Sequence, residues 1–230
     1  MGKPLGESDT RRGIVYQRYG LFPNLTVLEN VVLGKMLEIG YLGLGSWRRR
    51  RAAREEGMEF LARMRLDEHA RKYPFELSGG MQQRVAIAQA AIMRPKILMM
   101  DEPFGALDPG SRERMQVFIL ELWEKAHMTV FFVTHDIEEA AFLGTRLVVI
   151  SQFYTDGRGP NAERGSRIVA DYKLSDTAQS TKVKDTQAFR DLVESIRRDS
   201  FDPERRKHVT QFNLSHPDSF QTLTEIEKRI

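Results

Sequence analysis

A chain of 230 residues is long enough for one substantial domain, or for a domain with a small appendage. Its formal charge of +3 is weak evidence for any polyanion partner. The Arg48–Arg51 run is followed by Glu55, Glu56 and Glu59 on the same predicted helix, so it reads as a solvated face of mixed charge, not as a nucleic-acid surface. The lack of cysteine excludes a disulfide framework and thiolate chemistry and fits a reducing compartment. No apolar run approaches the ~18–20 residues that a bilayer-spanning helix needs, and residues 1–12 show no signal-peptide pattern.

Residues 1–12 lack periodicity and read as loop. Gly13–Tyr16 has the apolar character of a short buried strand, ending in Gln17. From Thr26, a plausible N-cap, apolar residues at Val27, Leu28, Val31, Val32 and Leu33 predict a helix to Leu37. Gly40–Ser46 is a glycine-rich break. A second, strongly charged helix is expected from Ser46 to about Met64, with Met58, Leu61 and Ala62 available for packing. Phe75 and Leu77 are taken as packing residues.

Leu77-Ser78-Gly79-Gly80-Met81-Gln82-Gln83-Arg84 then reads as a glycine loop opening a helix. Ser78 is placed to cap it, and two glycines let backbone N–H groups approach a ligand without Cβ obstruction. A helix N-terminus carries unpaired N–H groups and a positive dipole end, which suit an anion. Val85, Ala88, Ala91 and Ile92 form the packing face, and Pro95 stops the helix near Arg94. Ile97–Met100 is a continuous apolar run, expected as a strand covered on both faces of a parallel sheet. It ends in Asp101-Glu102, at the carboxyl end of a strand, where open α/β sheets bind ligands. Asp101 suits a hydrated Mg²⁺, and Glu102 suits the orientation or deprotonation of an attacking water.

Asp108-Pro109 has the N-cap and first-position pattern of a new helix, with Met115, Phe118, Ile119, Leu122 and Trp123 as its apolar stripe. Thr129–Val133 is the next predicted buried strand, followed by Thr134-His135-Asp136. Asp136 and Glu139 have capping-box spacing. Arg146–Ile150 is a further strand, Gln152–Ser166 a long loop, and Arg167–Val169 one more strand. Phe189, Leu192, Val193 and Ile196 mark an amphipathic helix. The last thirty residues are polar, with weak periodicity through Phe220, Leu223 and Ile226.

In this order the central stretches resemble the ATP-binding subunits of ABC transporters. LSGGMQQRVAIAQA looks like their signature motif, ILMMDE their Walker B and GALD their D-loop. The resemblance is good over about 13–150 and holds only in outline over 151–230. It implies an α/β P-loop NTPase-type fold with a helical subdomain at about 26–93, residues 1–150 forming a partial ATPase domain and 151–230 a C-terminal extension of loop and helices. It also implies roles. Glu102 becomes the catalytic base and His135 the switch histidine that reaches the γ-phosphate. Gln17 becomes the Q-loop residue, contacting Mg²⁺ and the attacking water beside Asp101. Ser78, Gly79, Gly80 and Gln82 contact ATP across a head-to-tail dimer, and Asp108 communicates across it. Alone, Gln17 and His135 are only polar residues at strand ends.

The implied cofactors are ATP and Mg²⁺. The implied partners are a second ATPase subunit, transmembrane permease subunits that dock on the segment after Gln17 to about Gly45, and indirectly a solute-binding protein, with no nucleic acid. The place is cytoplasmic and peripheral, on the inner face of the membrane. LFPNLTVLENV and HDIEEAAFL look most like importers of the nitrate, sulfonate and taurine group. No G-x-x-x-x-G-K-[ST] occurs: Gly2-Lys3 precedes Pro4, and Gly34-Lys35 precedes Met36. By resemblance the expectation is a chain without the family's N-terminal P-loop strand and helix. The alternative is a catalytically inactive partner that contributes only its signature to an intact ATPase. An ABC-type ATPase of DNA repair or translation would call for coiled-coil heptads or a second signature, and a serine hydrolase for a G-x-S-x-G elbow; neither pattern is present.

Overall fold

The computed structural model describes residues 10–40, 46–159, 165–174 and 180–214. It divides into two compact units, Met1–Thr134 and His135–Ile230.

The first unit is built on three parallel strands in the order β1-β2-β3: β1 (Arg12–Val15), β2 (Ile97–Asp101) and β3 (Thr129–Val133). Val15 lies opposite Met100, and Asp101 opposite Val133. Four helices accompany them: α1 (Val27–Ile39), α2 (Ser46–Arg63), α3 (Gly79–Ala91) and α4 (Pro109–Ala126). β1 ends one residue before its predicted end, because the Tyr16 carbonyl already accepts the Tyr19 N–H in a turn.

The helix boundaries follow local chemistry. Thr26 caps α1 in a reciprocal box with Glu29, and Asp108 caps α4 with Pro109 in its first turn. α1 and α2 approach closely at Gly57, where a Cβ would lie 2.5 Å from Val32 Cγ1. The packing face of α2 is Ala53, Gly57, Phe60 and Leu61; of the expected packing residues, Leu61 is buried, Met58 is half-buried and Ala62 is exposed. α3 is buried nearly all round, with Val85, Ala88, Ala91 and Ile92 fully inside.

Two expectations fail here. β2 is expected to be covered on both faces, but only the face of Val15, Leu98 and Met100 is buried. Ile14, Phe131 and Val133, on the other face, are exposed. Period-2 alternation separates these faces, yet all of the residues are apolar, so the sequence cannot say which face is covered. Leu77 is core as expected, but Phe75 is 75% exposed and stacks on Tyr73.

The second unit contains α5 (Ile137–Leu143), capped by Asp136, whose carboxylate accepts the Glu138 and Glu139 N–H groups. β4 (Arg146–Ser151) pairs antiparallel with β6 (Arg167–Lys173), and β6 pairs parallel with β8 (Asn213–Leu214). α6 (Gln187–Phe201) buries Phe189, Val193 and Ile196. The long loop expected at 152–166 contains β5 (Tyr154–Thr155), which pairs with β7 (Lys207–His208). Such two-residue strands carry no readable period. Tyr154 is the reason for this pairing: it is buried, donates its hydroxyl to the Gly165 carbonyl and meets Phe212 edge-on. β6 runs four residues past its predicted end, through the buried Asp171, which accepts two hydrogen bonds from Arg146 at 3.0 and 2.7 Å. The Phe220–Ile226 periodicity, most of the N-terminal loop and most of the Gly40–Ser46 break lie outside the described residues.

Candidate functional site

The opening of α3 is assembled from three directions. Ser78 caps the helix, its hydroxyl accepting the Met81 N–H. The first-turn N–H groups of a helix have no intrahelical acceptor, so Gly79 and Gly80 present donors at this end. Gly80 is there because the loop after β2 passes over it: a Cβ would lie 2.8 Å from the Ala106 carbonyl oxygen. At Gly79 a Cβ would lie 2.8 Å from the Tyr19 hydroxyl. The segment after Gln17, the glycine loop and the stretch before Asp108 thus meet at one helix end.

The side chain of Gln82, expected as a ligand contact, turns inward. Its amide donates to the carbonyls of Pro74 (3.0 Å) and Leu77 (3.2 Å), and so braces the loop that leads into Ser78. Arg84 stitches the same region together from below, donating to the Gly80 and Met64 carbonyls. Burial, and Arg114 nearby, push its pKa down. Asp108 is exposed and accepts the Ser111 N–H at 2.9 Å, and hydrogen bonding to Ser111 holds its carboxyl below the usual carboxylate range.

The strand ends form a second cluster. Val15 and Met100 are paired, so Tyr16 and Gln17 leave β1 beside Asp101 and Glu102 leaving β2. Asp101 is exposed on the open face of the sheet, and Gln17 is exposed. Glu102 adopts a left-handed conformation (φ 48°), rare for a residue with a Cβ, and its N–H is held by the Val133 carbonyl at 2.9 Å. The turn therefore fixes the carboxylate's departure from the sheet at a local conformational cost. His135 is exposed, two residues past the end of β3, and belongs to the second unit.

Asp101 and Glu102 supply the hard oxygens that Mg²⁺ prefers. Among the described residues no group of three or more His, Cys, Asp or Glu converges on a common point, so a cation here would keep most of its waters. That fits Mg²⁺ bound through waters and a substrate phosphate. The α3 end fits an anion. The strand ends lack a glycine cradle of their own within these residues, since no G-x-x-x-x-G-K-[ST] occurs.

One residue that the sequence reading missed organises the loop after Gln17. Asn30, fully buried on α1, accepts the Phe22 N–H (2.8 Å) and donates to the carbonyls of Phe22, Leu25 and Thr26, each at 3.0 Å. Its signal is a carboxamide amid the apolar face of Val27, Val31 and Val32.

Comparison with known proteins agrees with these features. The ABC transporter family profile matches residues 3–105. The taurine import ATP-binding protein TauB of Rhizobium johnstonii is 41% identical over 202 residues, covering 85% of this chain and 70% of the relative. The aliphatic sulfonates import ATP-binding protein SsuB of Bacillus cereus is 39% identical over 65% of this chain and 55% of the relative. The nitrate import ATP-binding protein NrtD of Synechocystis is 42% identical over 61% and 50%. The chain thus spans about half the length of the latter two. The dimeric ATP-binding cassette MJ0796 in a post-hydrolysis state with ADP and Pi superposes with a TM-score of 0.52 at 37% identity, over 60% of this chain and 57% of that one, which makes the fold that of an ABC ATPase, of P-loop NTPase type. Among the described residues no helix is long and apolar enough to cross a membrane. The chain belongs to the ABC transporter family, among the importer-type ATP-binding proteins of the taurine, sulfonate and nitrate group.

Proposed function

We propose that this chain serves as the ATP-binding part of an ABC importer, coupling ATP hydrolysis to the movement of a solute through transmembrane permease subunits. The observation that carries this reading is the convergence, within one unit, of Ser78–Gly80, Ala106–Asp108 and the segment after Gln17, with Asp101 and Glu102 at the adjoining strand end. Mg²⁺, when bound with ATP, neutralises charge on the phosphates. Glu102 takes the proton of the attacking water, Gln17 orients that water, and Asp101 holds the cation through its hydration shell. Ser78 and the Gly79 and Gly80 N–H groups serve an ATP held by a second ATPase subunit, Asp108 lies at the same dimer face, and His135 senses the γ-phosphate. Gln82 acts through the loop it braces. The relatives' names point to taurine, sulfonates or nitrate as the class of solute. The place of action is the cytoplasmic face of the membrane, on the permease, with a solute-binding protein on the far side.

A second reading has its own support. The residues present complete a signature face but hold no glycine phosphate cradle. On that reading the chain lends Ser78–Gly80 to the ATP of an intact subunit and leaves its own carboxylates idle. One experiment separates the two. ATP turnover is measured for complexes of this chain with permease and an intact ATP-binding subunit, carrying either Glu102→Gln or Gly79→Asp. Catalysis by Glu102 predicts trapped ATP and a loss of turnover of about 10²–10⁴-fold at the site that Glu102 serves, the range for removal of a general base. Turnover unaffected by Glu102→Gln but lost with Gly79→Asp would refute catalysis here and establish the second reading.

A further inference from the structure

A strongly charged surface lies apart from the residues assigned to the nucleotide site. α2 begins Ser46-Trp47-Arg48-Arg49-Arg50-Arg51, with Arg54 one turn further on, and no acidic residue stands in its first turn. Cations at a helix N-terminus face the positive end of the dipole, and Arg50 and Arg54 are like charges at i, i+4. Two other helices open on carboxylates instead, Glu29 in α1 and Glu138 and Glu139 in α5. The arrangement weakens α2 locally and concentrates positive charge at one end of it. An anionic partner reverses the sign of that cost.

The same end is also apolar. Trp47 is 63% exposed and carries the Arg48 guanidinium over its ring at 5.2 Å. Trp47, Arg51, Arg54 and Met58 recur at helical spacing along one strip and line a shallow groove there. Arg50 donates to the Gly40 carbonyl at 2.9 Å, which ties this end of α2 to the end of α1, where Leu37 is 67% exposed. On the strip Arg51 pairs with the exposed Glu55, and Arg54 lies near enough to Glu29 to help hold that carboxyl down. The mixed charge expected along α2 begins at Glu55, which lines the groove beside Arg51, and Glu56 is turned to Lys35 and Arg94, so that the first turn of the helix is purely cationic.

We propose that the start of α2, with Trp47 and Arg48–Arg51, is a docking surface for a membrane leaflet bearing anionic phospholipid. Clusters of four to eight basic residues on a helix bind acidic lipid surfaces, and tryptophan settles at the headgroup level. Nucleic acid would explain the arginines and Trp47 but not the Met58 floor of the groove. An acidic partner helix would use the groove but has no need of the outward Arg48 and Arg49. The inference is independent of the ATPase reading, because none of these residues belongs to the nucleotide site.

The chain contains two tryptophans, so Trp123→Phe leaves Trp47 as the sole tryptophan, excited selectively at the red edge where tyrosine does not absorb. The full chain in this background is mixed with phosphatidylcholine vesicles, with or without phosphatidylglycerol. The expected result is co-sedimentation and a blue shift of Trp47 emission with the anionic vesicles alone, both reversed at about 0.5 M salt, where the screening length falls to a few ångströms. Arg48→Glu with Arg49→Glu is expected to weaken partition at least about tenfold. Arg48→Gln with Arg49→Gln is the milder companion, and a urea midpoint equal to or above that of the unsubstituted chain shows that either variant is folded. Failure to sediment with phosphatidylglycerol vesicles, or binding that survives charge reversal, would overturn the proposal. So would capture by an acidic helical peptide or by DNA without vesicle binding, which would reassign the surface to that partner.

Discussion

Replacement of Gly80 by alanine tests the assembly at the start of α3 most directly. The added methyl would stand 2.8 Å from the Ala106 carbonyl oxygen and 3.4 Å from Leu107 Cδ2. The first neighbour is backbone, in the turn that leads into the Asp108 cap, and Leu107 is buried, so neither can yield without moving the loop. Overpacking of this kind costs about 1–3 kcal/mol, while exchange of glycine for alanine in a helix returns up to about 1 kcal/mol. The net expectation is a loss of about 1–2 kcal/mol. Gly79→Ala is the internal control: its close neighbour is the Tyr19 hydroxyl, the far end of a side chain that can swing, so the helix gain survives and stability is unchanged or raised. Both tryptophans, Trp47 and Trp123, lie in the first unit, so their fluorescence follows unfolding of that unit in urea. With a slope of about 2 kcal/mol per molar urea, Gly80→Ala should lower the midpoint by about 0.5–1 M. Equal midpoints for Gly80→Ala and wild type, or an equal drop for Gly79→Ala, would refute the account of the Ala106 contact.

Asn30→Ala removes four hydrogen bonds to the Phe22–Thr26 segment and strands their backbone partners; a loss of about 2–3 kcal/mol is expected, with faster amide exchange at Phe22 as the local readout. Glu29 is held below the ordinary glutamate range, chiefly by the Thr26 N–H and then by the Thr26 hydroxyl. Its folded pKa is depressed, so its contribution is complete above about pH 4.3 and is lost as pH falls through the lower folded value. Urea midpoints measured down that window should fall less steeply in Glu29→Gln than in wild type, and parallel profiles would count against the capping box as the cause. In the second unit, Arg146→Met withdraws two hydrogen bonds from the buried Asp171 and should cost about 3 kcal/mol in thermal unfolding; a shift of a few tenths would mean that the ion pair is incidental.

Local chemistry made much of the candidate site legible in the sequence. Ser78 before two glycines, Asp108 before Pro109, and Thr26 three residues ahead of Glu29 each satisfy backbone donors within four residues, and each cap forms as expected. The apolar runs of β2 and β3 need no distant partner to be read as strands. The order of Gln17, the glycine loop, Asp101-Glu102 and His135 rested on the family resemblance, and the relatives bear that family out.

What tertiary structure alone decided is what lies opposite each residue. Nothing near Gln82 in the chain says that its amide turns back to Pro74 and Leu77 instead of outward, and nothing near Phe75 says that it lies outside while Leu77 lies inside. Gly80 could be read as a glycine for a ligand; only the fold shows the Ala106 carbonyl pressing on it. The two-residue strands β5, β7 and β8 pair across about 50 residues of chain or less, with no period long enough to detect, because their partners and not their own sequence make them strands. Caps and turns are settled by atoms a few bonds apart. Faces, pairings and close approaches are settled by packing between elements distant in the chain, and a single sequence records that packing only as compatible residue types.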